Sequence, residues 1–383
     1  MIYAIILFAV TYILMLALPK YRTCVALISA CCFIASGMLP LDRIIESIDF
    51  NVLLMIAGTM GIVSMFIESK MPARLADMII AHVPNVCWAI IALALFAGII
   101  SAFVDNVATV LMVAPVALAI ARRIGMSPVP MVISIAVSSN LQGAATLVGD
   151  TTSILLGGYA GMNFLDFFVY KGRPSIFFAV ELGAVISAVI LFFLFRKEDK
   201  KLPKAERTEV TDYVPSALLL LMIALLICAS FVPDAPDISN GVICVTLMVI
   251  GGIYESVRKK SLRGLTDPIK EIDFTTVGLL LGLFLVIGGI TEQGVIDALA
   301  GVFTRLAGDD LFVIYTLILW ASVLFSAFID NIPYVATMLP VVQSIAVSMG
   351  VDPTVLYFGL LSGATLGGNM TPIGASANIA GIG

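Results

Sequence analysis

Two short polar motifs lie inside otherwise apolar stretches and carry the side chains most able to do chemistry. The first is Asp105-Asn106 and the second is Asp330-Asn331. Carboxylates within a bilayer are costly and usually functional, so we expect each motif to bind a cation or a proton. The alternative is structural, because an Asp at the start of a helix accepts backbone N–H groups as an N-cap. The two roles are compatible, and the predicted Na⁺ ligands are Asp105, Asn106, Asp330 and Asn331.

A glycine-rich polar stretch follows each motif and is predicted to break a helix. Glycine lets a helix unwind, and the freed carbonyl oxygens, with short hydroxyl and amide side chains, can coordinate a small cation. The N-termini of the resulting half-helices can point at an anion. The predicted ion- or substrate-binding residues are Asp105, Asn106, Thr109, Asn140, Gly143, Thr146, Asp150, Asp330, Asn331, Gly368, Asn369, Thr371 and Asn378.

Two further charge considerations bear on this predicted site. Glu181 lies in the middle of another apolar stretch and is either a proton relay or a structural acid with a partner. No Lys or Arg lies at an evident midplane position. A bound anion would therefore need helix dipoles or a bound cation to offset its charge.

Membrane helices must position these residues, because the composition is that of a membrane protein. Of 383 residues, 60% are hydrophobic and only 12% are charged. Soluble domains carry about twice that charged fraction. The composition argues against a soluble enzyme, a disordered chain and a nucleic-acid binder. It predicts an all-α polytopic membrane protein whose partners are the lipid bilayer and a small ion, without nucleic acid and without a cofactor other than a coupling ion.

The two halves of the chain are repeats of one another. SAFVDNVATVLMVAP (101–115) aligns with SAFIDNIPYVATMLP (326–340). The same alignment, continued without a gap, places LQGAATLVG on LGGNMTPIG, and 101–153 matches 326–378 at 16 of 53 positions. A match of this length argues against chance and predicts two copies of one structural unit.

Each copy is predicted to contain a re-entrant hairpin and a broken helix. The apolar helices around Asp105 and Asp330 leave no room for a polar loop outside the membrane, so each hairpin returns to its own side. A full repeat then crosses five times, and the second copy is inverted. The predicted units are a first repeat 1–196 (hairpin 86–122, broken helix 127–161), a linker 197–213, and a second repeat 214–383 (hairpin 311–347, broken helix 353–383). The second copy lacks a counterpart of the helix 174–195, so the natural chain is expected to continue with one more span.

The distribution of basic residues predicts the orientation. With hairpins that return to their own side, 17 of the 21 Lys and Arg residues, including Arg22, fall on one side of the membrane. The positive-inside rule makes that side cytoplasmic. The prediction is a multi-pass protein of the cell (inner) membrane with an extracytoplasmic N-terminus and a cytoplasmic linker 197–213.

The repeated motifs resemble a known family. The DNV and DNI hairpins, followed by GAATLVGD and GGNMTPIGASAN, are similar to the ion transporter superfamily in its citrate-transporter-like branch. That branch groups arsenite permeases and relatives of Na⁺/H⁺ antiporters, with the divalent-anion/Na⁺ symporters as distant kin. The resemblance implies an elevator mechanism, in which hairpins and broken helices move against a scaffold, often in a homodimer.

Two departures from the family pattern refine this resemblance. The dicarboxylate relatives have Ser-Asn-Thr at each hairpin tip, where this chain has Asp105-Asn106-Val107 and Asp330-Asn331-Ile332. This difference points to the arsenite-permease and antiporter branch. GDTTSI at 149–154 stands where relatives commonly have Gly-Asp-Pro-Pro-Asn. Family-typical coordination is therefore expected at the second break more than at the first.

These observations predict a secondary active transporter, not an enzyme. It would move a small anion or oxyanion coupled to H⁺ or Na⁺. The alternatives are a Na⁺/H⁺ antiporter of the same fold and, from another class, a passive ion channel. An intramembrane aspartyl protease is disfavoured, because Asp150 lacks the GxGD motif and such a protease leaves the repeat unexplained.

Overall fold

Long apolar runs fold here as helices, which satisfy their own backbone hydrogen bonds. The computed structural model describes residues 1–202, 208–233, 235–308 and 310–382. Residues 203–207 of the predicted linker and residue 383 of the predicted second broken helix lie outside these ranges.

The α-helices of the described residues follow one another in chain order. They are α1 Ile2–Ala17, α2 Arg22–Ala35, α3 Ile44–Ser47, α4 Phe50–Glu68, α5 Met71–Ile80, α6 Val86–Ser101, α7 Asn106–Ile124, α8 Val129–Gly143, α9 Thr151–Ala160, α10 Ile176–Phe195, α11 Val214–Ala229, α12 Ser239–Lys259, α13 Arg263–Lys270, α14 Phe274–Glu292, α15 Val295–Ala307, α16 Leu311–Ser326, α17 Asn331–Met349, α18 Thr354–Gly368 and α19 Ser376–Ile382. Short 3₁₀ turns cover Pro19–Tyr21, Leu41–Arg43 and Leu165–Phe167. One antiparallel pair of strands, β1 Val169–Tyr170 and β2 Arg173–Pro174, completes the described structure.

Several of these helices are long and apolar enough to cross a membrane. Within the described residues there are six by length and composition, or up to eight if each strongly bent helix pair forms one span. In the first bent pair, α1 and the segment Pro19–Ala35 meet at 116°. Proline cannot continue the hydrogen-bond ladder of α1, which accounts for the turn there. The prediction of a polytopic helical membrane protein is confirmed.

The helices of the two halves have matching bounds. Under the alignment of 101 with 326, helices α6, α7 and α8 recur as α16, α17 and α18, and α4 recurs as α14 with a shift of one position. Both halves interrupt the pattern at the same place, before α9 and before α19. The sequence repeat therefore extends to the ends of the helices.

Small residues bring helices of the two halves into close contact with each other. A Cβ on Gly58 of α4 would lie 2.5 Å from the Cys244 carbonyl carbon of α12, and one on Gly282 of α14 would lie 2.8 Å from that of Ala26 on α2. Such close backbone approach is typical of helices packed in membranes. The α4–α12 and α14–α2 pairs thus form two equivalent contacts between the halves.

An ion pair outside the spans joins the two halves. The Lys171 ammonium of the β1–β2 turn donates to the carboxylate of Asp352, just before α18. This hydrogen bond lowers the pKa of Asp352 from its usual value to about 2. The turn after the first broken helix is thereby held against the start of the second.

Candidate functional site

Both Asp-Asn motifs cap a helix at the tip of a helical hairpin. Asp105 precedes α7, and its carboxylate accepts the backbone N–H groups of Val107 (3.0 Å) and Ala108 (3.2 Å). Asp330 precedes α17 and accepts the N–H of Ile332 at 3.2 Å. The caps fix each carboxylate at the positive end of a helix dipole, where negative charge is stabilised.

The two tips meet in one central cavity of about 550 Å³. Its walls come from the second half of α4, the residues just before α14, both hairpin tips, and the starts of α2, α9 and α19. Asn106 and Asn331 line it beside their aspartates. Residues separated by more than half the chain therefore converge on one space.

The cavity is strongly acidic. Five carboxylates line it: Asp105, Asp150, Glu271, Asp273 and Asp330. Among the described residues that line it, Arg22 is the one basic side chain. The Arg22 guanidinium donates to Asp330, whose same oxygen also accepts the Ser376 hydroxyl at 3.1 Å.

Arg22 is a basic residue of the cavity that the sequence did not assign to the predicted site. Counted from sequence alone, Arg22 belonged to a loop on the basic side of the membrane. In the structure it begins α2 and lines the cavity, with 23% of its side chain exposed. The signal that could have found it is its place between two apolar stretches, 2–19 and 23–41, where a charge needs a partner.

A buried amide network connects the first hairpin tip to both breaks. The Asn106 side chain donates to Asn140 Oδ1 at 2.9 Å. Asn140 in turn donates to Asn369 Oδ1 at 2.9 Å and to Asn378 Oδ1 at 3.0 Å. Asn378 then donates to the carbonyl of Gly368 at 2.7 Å. Asparagines predicted as ligands thus bind one another across the two halves.

Asn140→Ala is expected to destabilise the protein more than the equivalent change in the second half. It removes the partner of three amides, of which those of Asn106 and Asn378 are buried. Each buried polar group left unpaired costs about 1–3 kcal/mol. We expect a loss of about 3 kcal/mol, a drop of several degrees in the melting temperature measured in detergent. The matched control is Thr365→Ala at the equivalent position of the repeat, where the hydroxyl bonds to the Leu361 carbonyl of its own helix at 2.7 Å. Equal losses for the two variants would contradict the network.

Each break is tied to its own hairpin by a threonine. The Thr146 hydroxyl donates to the carbonyl of Ala102 at the end of α6. The Thr371 hydroxyl donates to the carbonyl of Ala327 at the end of α16. The two bonds are equivalent in the alignment of the repeats. Hairpin and broken helix are therefore joined into one unit in each half.

A glycine closes each of these joints. A Cβ on Gly149 would lie 2.5 Å from the Gly143 oxygen, 2.6 Å from the Ser101 oxygen and 2.8 Å from the Ala102 oxygen. Gly374 is similarly enclosed, with the Gly368 oxygen 2.8 Å from such a Cβ. Only a residue without a side chain fits among these carbonyl groups.

The predicted residues fall into two main groups, and Asn106 belongs to both. Those that line the cavity are Asp105, Asn106, Asp150, Asp330 and Asn331. Those of the amide network and the joints are Asn140, Asn369, Asn378, Gly143, Thr146, Gly368 and Thr371. Thr109 is fully buried and bonds to the Val104 carbonyl at 3.4 Å. Glu181 is half-buried on α10 and does not line the central cavity. Besides Arg22, the cavity residues absent from the predicted set include Ser64, Glu271, Asp273 and Ser376.

Comparison with known proteins identifies the family. The profile of the family described as Citrate transporter matches residues 10–363. The chain belongs to the citrate transporter family. An uncharacterized transporter of Mycobacterium tuberculosis is 30% identical over 393 residues, covering 100% of this chain and 90% of its own. The P protein of Homo sapiens is 23% identical over 460 residues, 99% of this chain and 54% of its own.

Membership of the citrate transporter family confirms the resemblance to the ion transporter superfamily. An uncharacterized transporter of Synechocystis, 26% identical over 74% of this chain and 67% of its own, agrees with it. This citrate transporter family member is a multi-pass membrane transporter and not an enzyme, as its sequence predicted.

Proposed function

We propose that this transporter is a secondary active carrier of a small anion or oxyanion, coupled to Na⁺ or H⁺, which binds the anion in the central cavity. The observation that carries the proposal is that both hairpin tips meet Arg22 in one cavity. Secondary transporters bind substrate and coupling ion where broken helices of two repeats meet. The family supports an anion as the substrate class.

The charge of the cavity supports obligatory coupling to a cation. Five acids against one arginine leave four uncompensated carboxylates if all are ionised. An anion entering such a cavity is repelled unless positive charge accompanies it. Na⁺ held by Asp105-Asn106 and Asp330-Asn331, or protons on the two aspartates, would supply that charge.

A second cavity supports inverted repeats. It has a volume of about 680 Å³ and is lined along α14 by Phe284, Ile287, Gly288 and Thr291. When α4 is aligned with α14, these four residues correspond to four residues of α4 that line the central cavity. The four are Met60, Val63, Ser64 and Ile67. The central cavity lies beside the C-terminal half of α4 but beside the N-terminal end of α14. Equivalent parts of α4 and α14 therefore line different cavities. This is expected if the second repeat is inverted relative to the first.

From this symmetry we infer alternating access by an elevator movement. The hairpins and broken helices, joined by Thr146 and Thr371, would move as one body between the two cavities. The α4–α12 and α14–α2 pairs would form the stationary scaffold, and a homodimer would hold that scaffold in the bilayer. With the orientation of the positive-inside rule, in which the N-terminus is outside and 197–213 inside, the central cavity opens to the cytoplasm.

A thermal-shift screen tests the proposed binding. Purified protein is heated with citrate, phosphate, sulfate or arsenate, each with and without Na⁺ and at two pH values. A ligand that binds only the folded state stabilises it, by about 2.7 kcal/mol at 100 times its Kd. We expect one anion to raise the melting temperature, and only when Na⁺ or a lower pH accompanies it. Absence of any anion effect would contradict the proposal.

The acid surplus favours a second candidate, a Na⁺/H⁺ antiporter. Such a protein needs carboxylates and no anion site. In proteoliposomes loaded with a pH-sensitive dye, Na⁺ added alone would then move protons. We expect no proton movement until an anion is also present.

A further inference from the structure

We propose that Arg22 is the anion-binding residue of the central cavity and that Asp330 occupies the same guanidinium when no anion is bound. The inference rests on the proposed function and adds to it a recognition residue and a competition. An anion and the Asp330 carboxylate would exchange places on Arg22.

The location of Arg22 supports this role. It is the one base among the described residues that line the cavity, and 23% of its side chain and 17% of that of Asp330 are exposed. Nη1 donates to Asp330, while a guanidinium carries five N–H donors in a fork that matches carboxylates and oxyanions. The exposed part of the pair faces the space that an anion would enter.

The two halves of the chain differ at this point. Gly282 meets Ala26 and Gly278 meets Thr23, just as Gly58 meets Cys244 and Gly241 meets Leu54. These contacts align α2 with α12, and in that alignment Asn240 is the equivalent of Arg22. A residue needed only for helix packing would be expected in both halves. Because the basic residue is present in only one of the two halves, a role in binding at the cavity explains it better.

The two hairpin-tip aspartates also differ between the halves, in the groups that they bind. Asp330 binds Arg22, the Ser376 hydroxyl and the Ile332 N–H. Its equivalent Asp105 accepts two backbone N–H groups. Arg22 therefore singles out one of two otherwise equivalent carboxylates.

This arrangement links the anion to the coupling cation. A coupling cation bound beside Asp330 offsets the charge that holds Arg22 and frees the guanidinium for the anion. The charged groups that face the pair across the cavity are Asp105 before α7, Asp150 before α9, and Glu271 and Asp273 before α14. All of them are acidic, so they repel an anion that enters without a cation. Anion affinity should consequently rise when the negative charge of Asp330 is removed.

The test is citrate–citrate exchange in proteoliposomes, which needs binding but no ion gradient. Arg22→Gln is expected to raise the KM for citrate at least about tenfold, and Arg22→Lys less, because lysine keeps the charge but loses the fork. In Asp330→Asn, which no longer holds the guanidinium by charge, the KM for citrate should fall below that of the wild type. The matched control is Arg258→Gln, which breaks another Arg–Asp pair, with Asp212, away from the cavity. Its KM should equal that of the wild type.

The double variant Arg22→Gln with Asp330→Asn separates recognition from charge balance. It leaves no unpaired carboxylate at the tip, so it should fold even if Arg22→Gln alone does not. If Arg22 binds the anion, the double variant keeps the raised KM. A return of KM to the wild-type value would overturn the inference and leave the proposed function intact. If the wild type exchanges none of citrate, phosphate, sulfate and arsenate, the proposed function itself fails and Arg22 is only the counter-ion of Asp330.

Discussion

Gly149→Ala is expected to abolish transport and to lower the melting temperature of the purified protein by about 5–10 °C. The new methyl group would meet three backbone carbonyl oxygens, those of Gly143, Ser101 and Ala102, at 2.5–2.8 Å. Backbone atoms of a hairpin and a broken helix cannot turn aside as a flexible side chain can. The joint must therefore open, which displaces Asp105 and Asp150 in the cavity. Displacements of about 1 Å reduce rates by as much as about 100-fold in enzyme active sites, and we expect a similar loss here.

Gly301→Ala is the matched control for this variant. Gly301 lies in α15, and no atom lies within 4 Å of the position that a Cβ would take. Because Ala favours helix more than Gly by about 1 kcal/mol, this variant should be as stable as the wild type or slightly more so. The two proteins are compared by thermal denaturation in detergent and by uptake in proteoliposomes. Normal uptake by Gly149→Ala would show that the joint between break and hairpin is not needed.

Asp105→Asn and Asp330→Asn are each expected to slow gradient-driven uptake strongly while leaving the fold intact. Asn caps helices about as well as Asp, so α7 and α17 should still begin at the same residues. The change removes one negative charge at a tip, and with it the site for Na⁺ or the proton. Losing a charged partner of this kind corresponds to about a 10–100-fold fall in the initial rate of driven uptake. Anion exchange, which needs no gradient, should survive in Asp330→Asn.

Asp310→Asn controls for the loss of a capping aspartate. Asp310 caps α16 through the N–H groups of Phe312 (2.8 Å) and Val313 (3.3 Å), as Asp105 caps α7, but it does not line the central cavity. Driven uptake should be unchanged in this variant. Equal rates in all three variants would mean that the tip aspartates act only as caps.

The hairpins and the helix breaks could be predicted from local features of the sequence. An aspartate directly before an apolar helix, or glycines inside an apolar run, signal a cap or a break from a few neighbouring residues. The internal repeat then paired Asp105 with Asp330 and Thr146 with Thr371 without knowledge of the fold. The family and the polytopic helical class, which rest on such patterns, are confirmed. The inverted order of the repeats and the roles of the site residues stay predictions.

Contacts between residues far apart in the sequence could not be predicted from local features or from the repeat. Arg22 and Asp330 lie 308 residues apart, and no repeat relates them. Asn140 and Asn369, 229 residues apart, both looked like ligands because a buried amide and a binding amide have the same side chain. Only the packing of the two halves decides which polar groups bond to each other and which face the cavity.

Concentrative uptake by the wild-type protein is the decisive test of secondary active anion transport. Proteoliposomes are given labelled citrate, phosphate, sulfate or arsenate under an imposed Na⁺ or pH gradient, with and without an ionophore that collapses it. We expect one of these anions to accumulate above its external concentration while the gradient lasts and to leave when the ionophore is added. Anion equilibration that ignores the gradient would indicate a passive channel. Proton movement driven by Na⁺ alone, with no anion taken up, would indicate an antiporter and contradict the account.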